Sequence, residues 1–299
     1  MCVLVVLLAS CGGDDEPPLP APSAAQAPAQ GTAIDSSWPP IGRPAATAPR
    51  ASEYPGGGGL RFVIFGASWC PGCVASTLED AALARRYANR VTVGIAVHGD
   101  SDIAFTSSRS ARYLDQMPIW RASSTTEVAQ LCGVRFLPYA CLVDGARVIW
   151  RGGSSDAPAI IDAHLAGTLD TALARHAQAD ALIDRARAGD AQARPQALAA
   201  LRGLASREND IAWRLVDRDT VPAADAELAV ALAQDAVEAT GAMNSAILDT
   251  LAVALWKASR REDAARVAQR VIAVCDATGA SCSEERPRAE EYVRTVRGG

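Results

Sequence analysis

Two cysteines, Cys70 and Cys73, lie between a segment with a β-strand pattern and a segment with a helical pattern. The run before them, 60–65, is short and apolar, as expected of a buried β-strand. The segment after them has apolar residues at helical spacing to about residue 89, and 91–97 is again of buried-strand type. A strand, a helix and a second strand in this order predict a right-handed crossover in a sheet that helices cover on both faces.

The predicted position of Cys70, at a strand-to-helix junction, gives its thiol particular chemistry. Unpaired backbone N–H groups and the positive end of the helix dipole stabilise a thiolate there. Cysteines in such positions have pKa values of about 3.5 to 7.5, against about 8.5 for a free thiol. Cys73, one helical turn later, is placed to attack a mixed disulfide formed at Cys70, which completes a two-electron thiol–disulfide exchange.

A zinc site is the main alternative for a Cys-x-x-Cys motif, and the sequence does not favour it. Closing such a site requires two more ligands at comparable spacing. Cys132 and Cys141 lack that spacing, and the three histidines are scattered along the chain. We therefore expect neither a metal ion nor another cofactor.

A hairpin supplies the rest of the predicted sheet. Two strand-type runs, 139–143 and 146–151, are separated by Asp144-Gly145, which is a strong hairpin signal. Leu137-Pro138 precedes the first run, and residues 155–167 follow the second with a helical pattern that closes the domain.

Together these segments resemble the thioredoxin superfamily, and most closely its exported TlpA-like branch. The resemblance covers about residues 60–167 and rests on Trp69-Cys70-Pro71-Gly72-Cys73 and, about 65 residues later, on Gly133-Val134 to Leu137-Pro138. It implies an α/β thioredoxin-like fold with a central mixed sheet, and a cis Leu137–Pro138 bond lying against the two cysteines. It also implies that the main chain of Leu137 pairs with a substrate peptide and that Trp69 lines the same groove.

Two positions depart from the pattern of the family. Ile64 stands where thioredoxins have a buried Asp, and Ser76 stands where the cytochrome-maturation reductases have a Glu. A proton acceptor for Cys73 is therefore missing from both usual places, and Asp100, after the predicted strand 91–97, is better explained as a helix cap. The resemblance implies thiol–disulfide exchange but leaves the direction, reduction or oxidation, open.

The N-terminus has the features of an export signal. The apolar run 3–8 is followed by small residues, and Leu8-Ala9-Ser10-Cys11 resembles the lipobox of bacterial lipoproteins. That resemblance implies that residues 1–10 are removed and that acyl chains on Cys11 hold the protein on the periplasmic side of a membrane. Residues 11–59 are rich in proline, alanine and glycine without a hydrophobic period, which predicts a tether.

Composition limits the remaining possibilities. Of the 299 residues, 49% are hydrophobic and 21% charged, which suits two domains with cores of their own. The formal net charge is −5, and the basic residues do not form a block, so we expect no nucleic-acid partner. The apolar runs are all shorter than the 18 or more residues that a membrane-spanning helix requires.

Six cysteines remain once Cys2 and Cys11 are assigned to the signal and the lipid, and they form three close pairs in the sequence. Cys275 and Cys282 lie at a helix end and in the turn after it, where a disulfide is sterically plausible. For Cys132 and Cys141 two interpretations stay open, a disulfide and a pair of small buried apolar residues, because a turn and a strand do not always bring Cα atoms within about 7 Å.

The second half, 169–299, is rich in alanine and arginine and lacks strand signals. Five positions with identical internal spacing correspond to five others at an offset of 35 residues. Trp213, Val216, Asp217, Ala229 and Ala236 correspond in this way to Leu248, Leu251, Ala252, Ala264 and Val271. This pattern resembles tetratricopeptide repeats, which implies a helical-repeat domain with a groove for a protein partner. The alternative is a helical lobe that only completes the packing of the redox domain.

The sequence thus predicts a membrane-tethered thiol–disulfide oxidoreductase. Cys70 would attack, Cys73 would resolve, and Leu137, Pro138 and Trp69 would align the substrate. Its partners would be protein thiols and disulfides and a membrane electron donor or acceptor. The rival hypothesis is an adaptor or redox sensor whose helical repeats bind a partner while the thioredoxin-like domain does not turn over. A peroxidase fits less well, because the Thr-x-x-Cys environment typical of that chemistry is absent.

Overall fold

Strand β1 (Leu60–Gly66) lies at the centre of a five-stranded sheet. The computed structural model describes residues 59–67, 69–97, 117–120, 132–134, 137–145, 147–278 and 282–298. Within them the strand order is β3-β2-β1-β4-β5, with β2 (Thr92–Val97) and β3 (Ile119–Trp120) continuing the sheet in parallel from β1. All of β1 after its first residue is buried, which matches its apolar sequence.

The segment between β1 and β2 forms two short helices. Helix α1 (Pro71–Ala75) ends at Ser76, and helix α2 (Thr77–Tyr87) begins directly after it. The predicted order of strand, helix and strand is confirmed, with the helical stretch divided in two at Ser76.

The predicted hairpin is confirmed as β4 (Tyr139–Asp144) and β5 (Arg147–Gly152). Strand β4 runs antiparallel to both β1 and β5, so the sheet is mixed. Gly145 has φ of +55° in the turn, a conformation that favours glycine, and its carbonyl accepts a 2.8 Å hydrogen bond from the guanidinium of Arg61.

Alternation along β1 divides the core of the sheet into two faces. Phe62 and Ile64 point to a cluster that contains residues of α2 and of the closing helix α3 (Ala157–Leu165). Val63 and Phe65 point to the opposite face, where Cys132 and the hairpin strands complete a smaller cluster. A 3₁₀ turn (Ser154–Asp156) introduces α3.

Helices make up all the secondary structure described after α3. In chain order they are α4 (Leu169–His176), α5 (Ala179–Arg187), α6 (Ala193–Leu201), α7 (Ala205–Val216), α8 (Ala223–Ala239), α9 (Ser245–Lys257), α10 (Arg261–Thr278) and α11 (Glu285–Gly298). From α7 onward each helix packs against the next. The predicted fold class, a mixed sheet with flanking helices followed by an all-α region, is confirmed.

The helix pairs α7–α8 and α9–α10 do not follow the predicted residue register. Helices α7 and α9 begin 40 residues apart, and α8 and α10 begin 38 apart. An offset of 35 therefore aligns Asp217, at the C-cap of α7, with Ala252, in the interior of α9. Successive helix hairpins are present, and the paired residues of the predicted repeat stand at different distances from the starts of their helices.

The cores of the sheet and of the helical region interlock. Leu169 and Leu173 of α4 belong to the core of the sheet, while Leu78 of α2 belongs to the core of the helical region. Asp156, in the turn before α3, accepts a 2.8 Å hydrogen bond from the backbone N–H of Ser206 at the start of α7. The two regions therefore share an interface made of both apolar contacts and hydrogen bonds.

Several predictions concern residues outside the described ranges. They include the signal at 1–10, lipid attachment at Cys11, most of the tether, and Asp100. None of the helices described by the structure is long and apolar enough to span a bilayer.

The shared core makes a prediction about Leu78. Replacing this buried side chain by alanine leaves a cavity between α2 and the helical region, so we expect Leu78→Ala to lower the free energy of unfolding by about 2–5 kcal/mol. Leu165→Ala is the matched control, because Leu165 is 40% exposed and its loss is expected to change stability by about 0.5 kcal/mol or less. Urea denaturation measures both. Equal costs for the two variants would contradict the shared core.

Candidate redox site

Cys70 caps helix α1. Its backbone is extended, with φ of −88° and ψ of 110°, and its Sγ accepts a hydrogen bond from the N–H of Cys73 at 3.1 Å. Pro71 occupies the first helical position, where a missing N–H removes no helical hydrogen bond. The local sequence therefore folds so that the Cys70 sulfur faces a backbone donor, which stabilises a thiolate when the pair is reduced.

Cys70 and Cys73 are joined by a disulfide, with their Cα atoms 5.3 Å apart. Cys70 is 4% exposed and Cys73 is half-buried, whereas the neighbouring Trp69 is 62% exposed. An exposed indole beside a covered disulfide gives a visiting polypeptide an apolar surface to pack on.

The Leu137–Pro138 peptide bond is cis, as the sequence resemblance implies. The structure brings this bond to the cysteine motif, because a β-carbon placed on Gly72 would lie only 2.9 Å from Cδ of Pro138. Leu137 and Pro138 are both half-buried. Trp69, Cys70, Cys73, Leu137 and Pro138, which are the predicted site residues in the described chain, thus belong to two segments that meet at Gly72.

The end of β1 supports the second cysteine. A β-carbon placed on Gly66 would lie 3.7 Å from Cβ and 3.8 Å from Sγ of Cys73. The sulfur of Cys73 therefore packs close to the last residue of the central strand.

The two positions that depart from the family pattern have different surroundings. Ile64 is buried in the core of the sheet. Ser76 is also buried, and its Oγ lies 3.2 Å from the carbonyl oxygen of Cys73 and 3.0 Å from Oδ2 of Asp80. A buried carboxyl group thus lies close to α1, the helix that begins at the cysteine motif (the redox helix), at a position that sequence reasoning did not consider.

Asp80 and its neighbour Glu79 form a buried acidic pair on α2. Burial raises the pKa of Glu79 to about 7, against hydrogen bonds from Asn244 and Ser155 that lower it. Burial and the adjacent charge of Glu79 raise the pKa of Asp80 well above its usual range. Ser76 and Asp80 are four residues apart, which is the spacing of neighbouring side chains on a helix. This spacing was the sequence signal that could have indicated a contact between them.

The helical region lies directly against this site. Helix α1 contacts both α9 and α10. Asn244, the N-cap of α9, donates a 3.0 Å hydrogen bond from Nδ2 to Oε2 of Glu79. The redox helix therefore packs between the sheet and the helical region.

Four more cysteines among the described residues form two further disulfides. The Cys132–Cys141 disulfide connects Cys132, which precedes the cis-proline segment in the chain, to strand β4. The two Cα atoms are 6.0 Å apart, and both residues are fully buried. Of the two interpretations that the sequence left open, the disulfide is therefore the one observed. Cys275–Cys282 joins the end of α10 to the residues before α11.

Among solved structures, the chain is similar to the crystal structure of a putative thiol:disulfide interchange protein DsbE from Chlorobium tepidum. The similarity covers 44% of this chain and 98% of that protein, at 19% sequence identity and a TM-score of 0.30. No family model and no curated protein matches the sequence. A likeness of this size assigns no activity to the chain.

The contact at Gly72 makes a second prediction. Gly72→Ala forces the new methyl group against the ring of Pro138, so we expect the free energy of unfolding to fall by about 1–3 kcal/mol. Gly66→Ala is the matched control, since its nearest atoms would lie at ordinary contact distances. Thermal unfolding of the disulfide form compares the two variants. An equal loss in both, or a loss only in Gly66→Ala, would show that Pro138 does not lie against the cysteine motif.

Proposed function

We propose that this protein is a thiol–disulfide oxidoreductase that acts on protein thiols and disulfides. The observation that carries the proposal is the meeting of a Cys70–Cys73 disulfide, at the start of a helix, with the cis peptide bond of Pro138. The hydrogen bond from the N–H of Cys73 to the sulfur of Cys70 supports Cys70 as the attacking group.

The exchange proceeds in two steps. In the reduced protein, the Cys70 thiolate attacks one sulfur of a substrate disulfide, forms a mixed disulfide, and releases the other substrate sulfur as a thiolate that takes up a proton. Cys73, once deprotonated, then attacks Sγ of Cys70 and releases the second substrate thiol. The substrate gains two electrons and two protons, and the pair becomes the Cys70–Cys73 disulfide. The reverse sequence oxidises a substrate dithiol.

Substrate alignment falls to the groove beside Pro138. In this proposal the main chain of Leu137 pairs with an extended substrate segment, and Trp69 packs against its side chains. The exposure of Trp69 and the half-buried Leu137 and Pro138 support this arrangement.

The location and partners of the enzyme are part of the same proposal. Two further disulfides, Cys132–Cys141 and Cys275–Cys282, support an oxidising, exported environment. We propose that residues 11–59 tether the domain 60–168 to a membrane through lipidated Cys11, and that a membrane protein supplies or removes electrons. The helical region 169–299 would be a tetratricopeptide-like array that binds a protein partner.

The adaptor hypothesis differs from this proposal in one measurable respect, which is turnover. We expect the wild type to catalyse reduction of insulin by dithiothreitol and Cys70→Ser to be inactive, because the attacking sulfur is lost. Cys73→Ser is the matched variant, and we expect it to accumulate a mixed disulfide with substrate through Cys70, visible by mass spectrometry. Equal inertness of the wild type and both variants would favour the adaptor, and trapping by Cys70→Ser would reverse the roles of the two cysteines.

A further inference from the structure

The buried pair Glu79 and Asp80 lies between the redox helix and the helical region, and the two carboxyl groups have unequal surroundings. Glu79 accepts hydrogen bonds from Oγ of Ser155 at 2.9 Å and from Nδ2 of Asn244 at 3.0 Å. Within the part of the chain that the structure describes, Asp80 has one side-chain partner, Ser76, and its buried Oδ1 has no hydrogen-bond partner.

The cap at the start of α9 fixes which end of the Asn244 amide faces Glu79. Oδ1 of Asn244 accepts hydrogen bonds from the N–H groups of Ala246 and Ile247, at 3.1 and 3.3 Å. The NH₂ group, which can only donate, is therefore directed to the carboxylate of Glu79. An amide donor and a hydroxyl donor favour the ionised form of Glu79 over that of Asp80.

Two adjacent buried carboxyl groups do not readily ionise together, so we take the pair to carry one negative charge, either on Glu79 or on Asp80. With that charge on Glu79, Asp80 stays protonated and donates to Oγ of Ser76. Ser76 then directs its own proton to the carbonyl oxygen of Cys73. With the charge on Asp80, Ser76 instead donates to Asp80, and a negative charge lies one hydroxyl group away from the backbone of Cys73.

We propose that Asn244 is a positioning residue for the redox pair, which acts by holding the buried negative charge on Glu79 and keeping it off Asp80. This inference rests on the proposed function. A carboxylate at Asp80 disfavours a thiolate on the redox helix and leaves the neutral disulfide almost unaffected. By controlling the place of the charge, the helical region sets the reduction potential of the Cys70–Cys73 couple.

One further acid, Asp156, faces this pair from the turn before α3. Its carboxylate accepts backbone hydrogen bonds at the start of α7, and its pKa is raised to about 7, mainly by burial and further by the charge of Glu79. Asp156 therefore responds to the same charge but has its own donors, so Asn244 does not act through it.

The decisive variant is Asn244→Ser, because serine keeps a helix cap but lacks the NH₂ group that reaches Glu79. We expect the equilibrium between the Cys70–Cys73 pair and glutathione at pH 7 to move about tenfold toward the disulfide, a potential about 30 mV more negative. Asp190→Ser is the matched control, since Asp190 accepts from the N–H groups of Gln192 and Ala193 at the start of α6. We expect it to leave the potential unchanged.

Glu79→Gln separates the electrostatic role of Asn244 from a purely structural one. Removing the charge at position 79 removes one of the two effects that raise the pKa of Asp80, burial being the larger, so ionisation of Asp80 becomes easier and we expect a shift in the same direction as that of Asn244→Ser. Once Glu79 is neutral, Asn244→Ser is expected to add nothing, which a double-mutant cycle of potentials measures. A structural role would lower thermal stability and leave the potential unchanged.

Unchanged potentials in Asn244→Ser and Glu79→Gln, or additive shifts in the double variant, would overturn the inference. Either result leaves the proposed function intact if the wild type still catalyses insulin reduction. If the wild type is inert in that assay, the proposed function fails. The potential of the disulfide remains measurable against glutathione and still tests the role of Asn244.

Discussion

The hydrogen bond from the backbone N–H of Cys73 to the sulfur of Cys70 is the interaction on which the rest of the site depends. It places one sulfur at the start of α1 and, through the helical turn, places the second within bonding distance of the first. Gly72, between them, leaves room for Pro138 to lie against the turn. A side chain there would press on the ring of Pro138, so that one of the two segments would have to shift.

The helical region is part of the environment of the site. Leu78 lies in the helical core, Asn244 reaches Glu79, and α1 contacts α9 and α10. Buried acids are costly unless donors satisfy them, and here Asn244, a main donor to Glu79, comes from the other region. The packing of the two regions is therefore coupled to the ionisation of Glu79 and Asp80. A change at the interface is expected to affect the redox chemistry as well as the stability.

Local patterns predicted the sheet well. The apolar run of β1, the Asp144-Gly145 turn and the helix start at Cys70 depend on neighbours in the sequence, and the structure has all three. The cis bond at Pro138 followed from the family resemblance. The burial of Glu79 and Asp80 was not predictable, because charged residues on a helix usually face solvent, and the helix that covers them begins about 165 residues later at Asn244. The offset of 35 does not superimpose the two hairpins, because it was taken from a residue pattern, whereas their helices begin 40 and 38 residues apart.

The pKa of the Cys70 thiol in the reduced protein shows whether the local backbone geometry activates this sulfur. The pH dependence of iodoacetamide alkylation, followed by peptide mapping, gives this value and identifies the sulfur that reacts first. We predict that Cys70 is alkylated before Cys73 and that the pKa of Cys70 lies below the value of about 8.5 typical of a free thiol. A pKa of Cys70 at or above about 8.5, or faster alkylation of Cys73, would contradict this prediction.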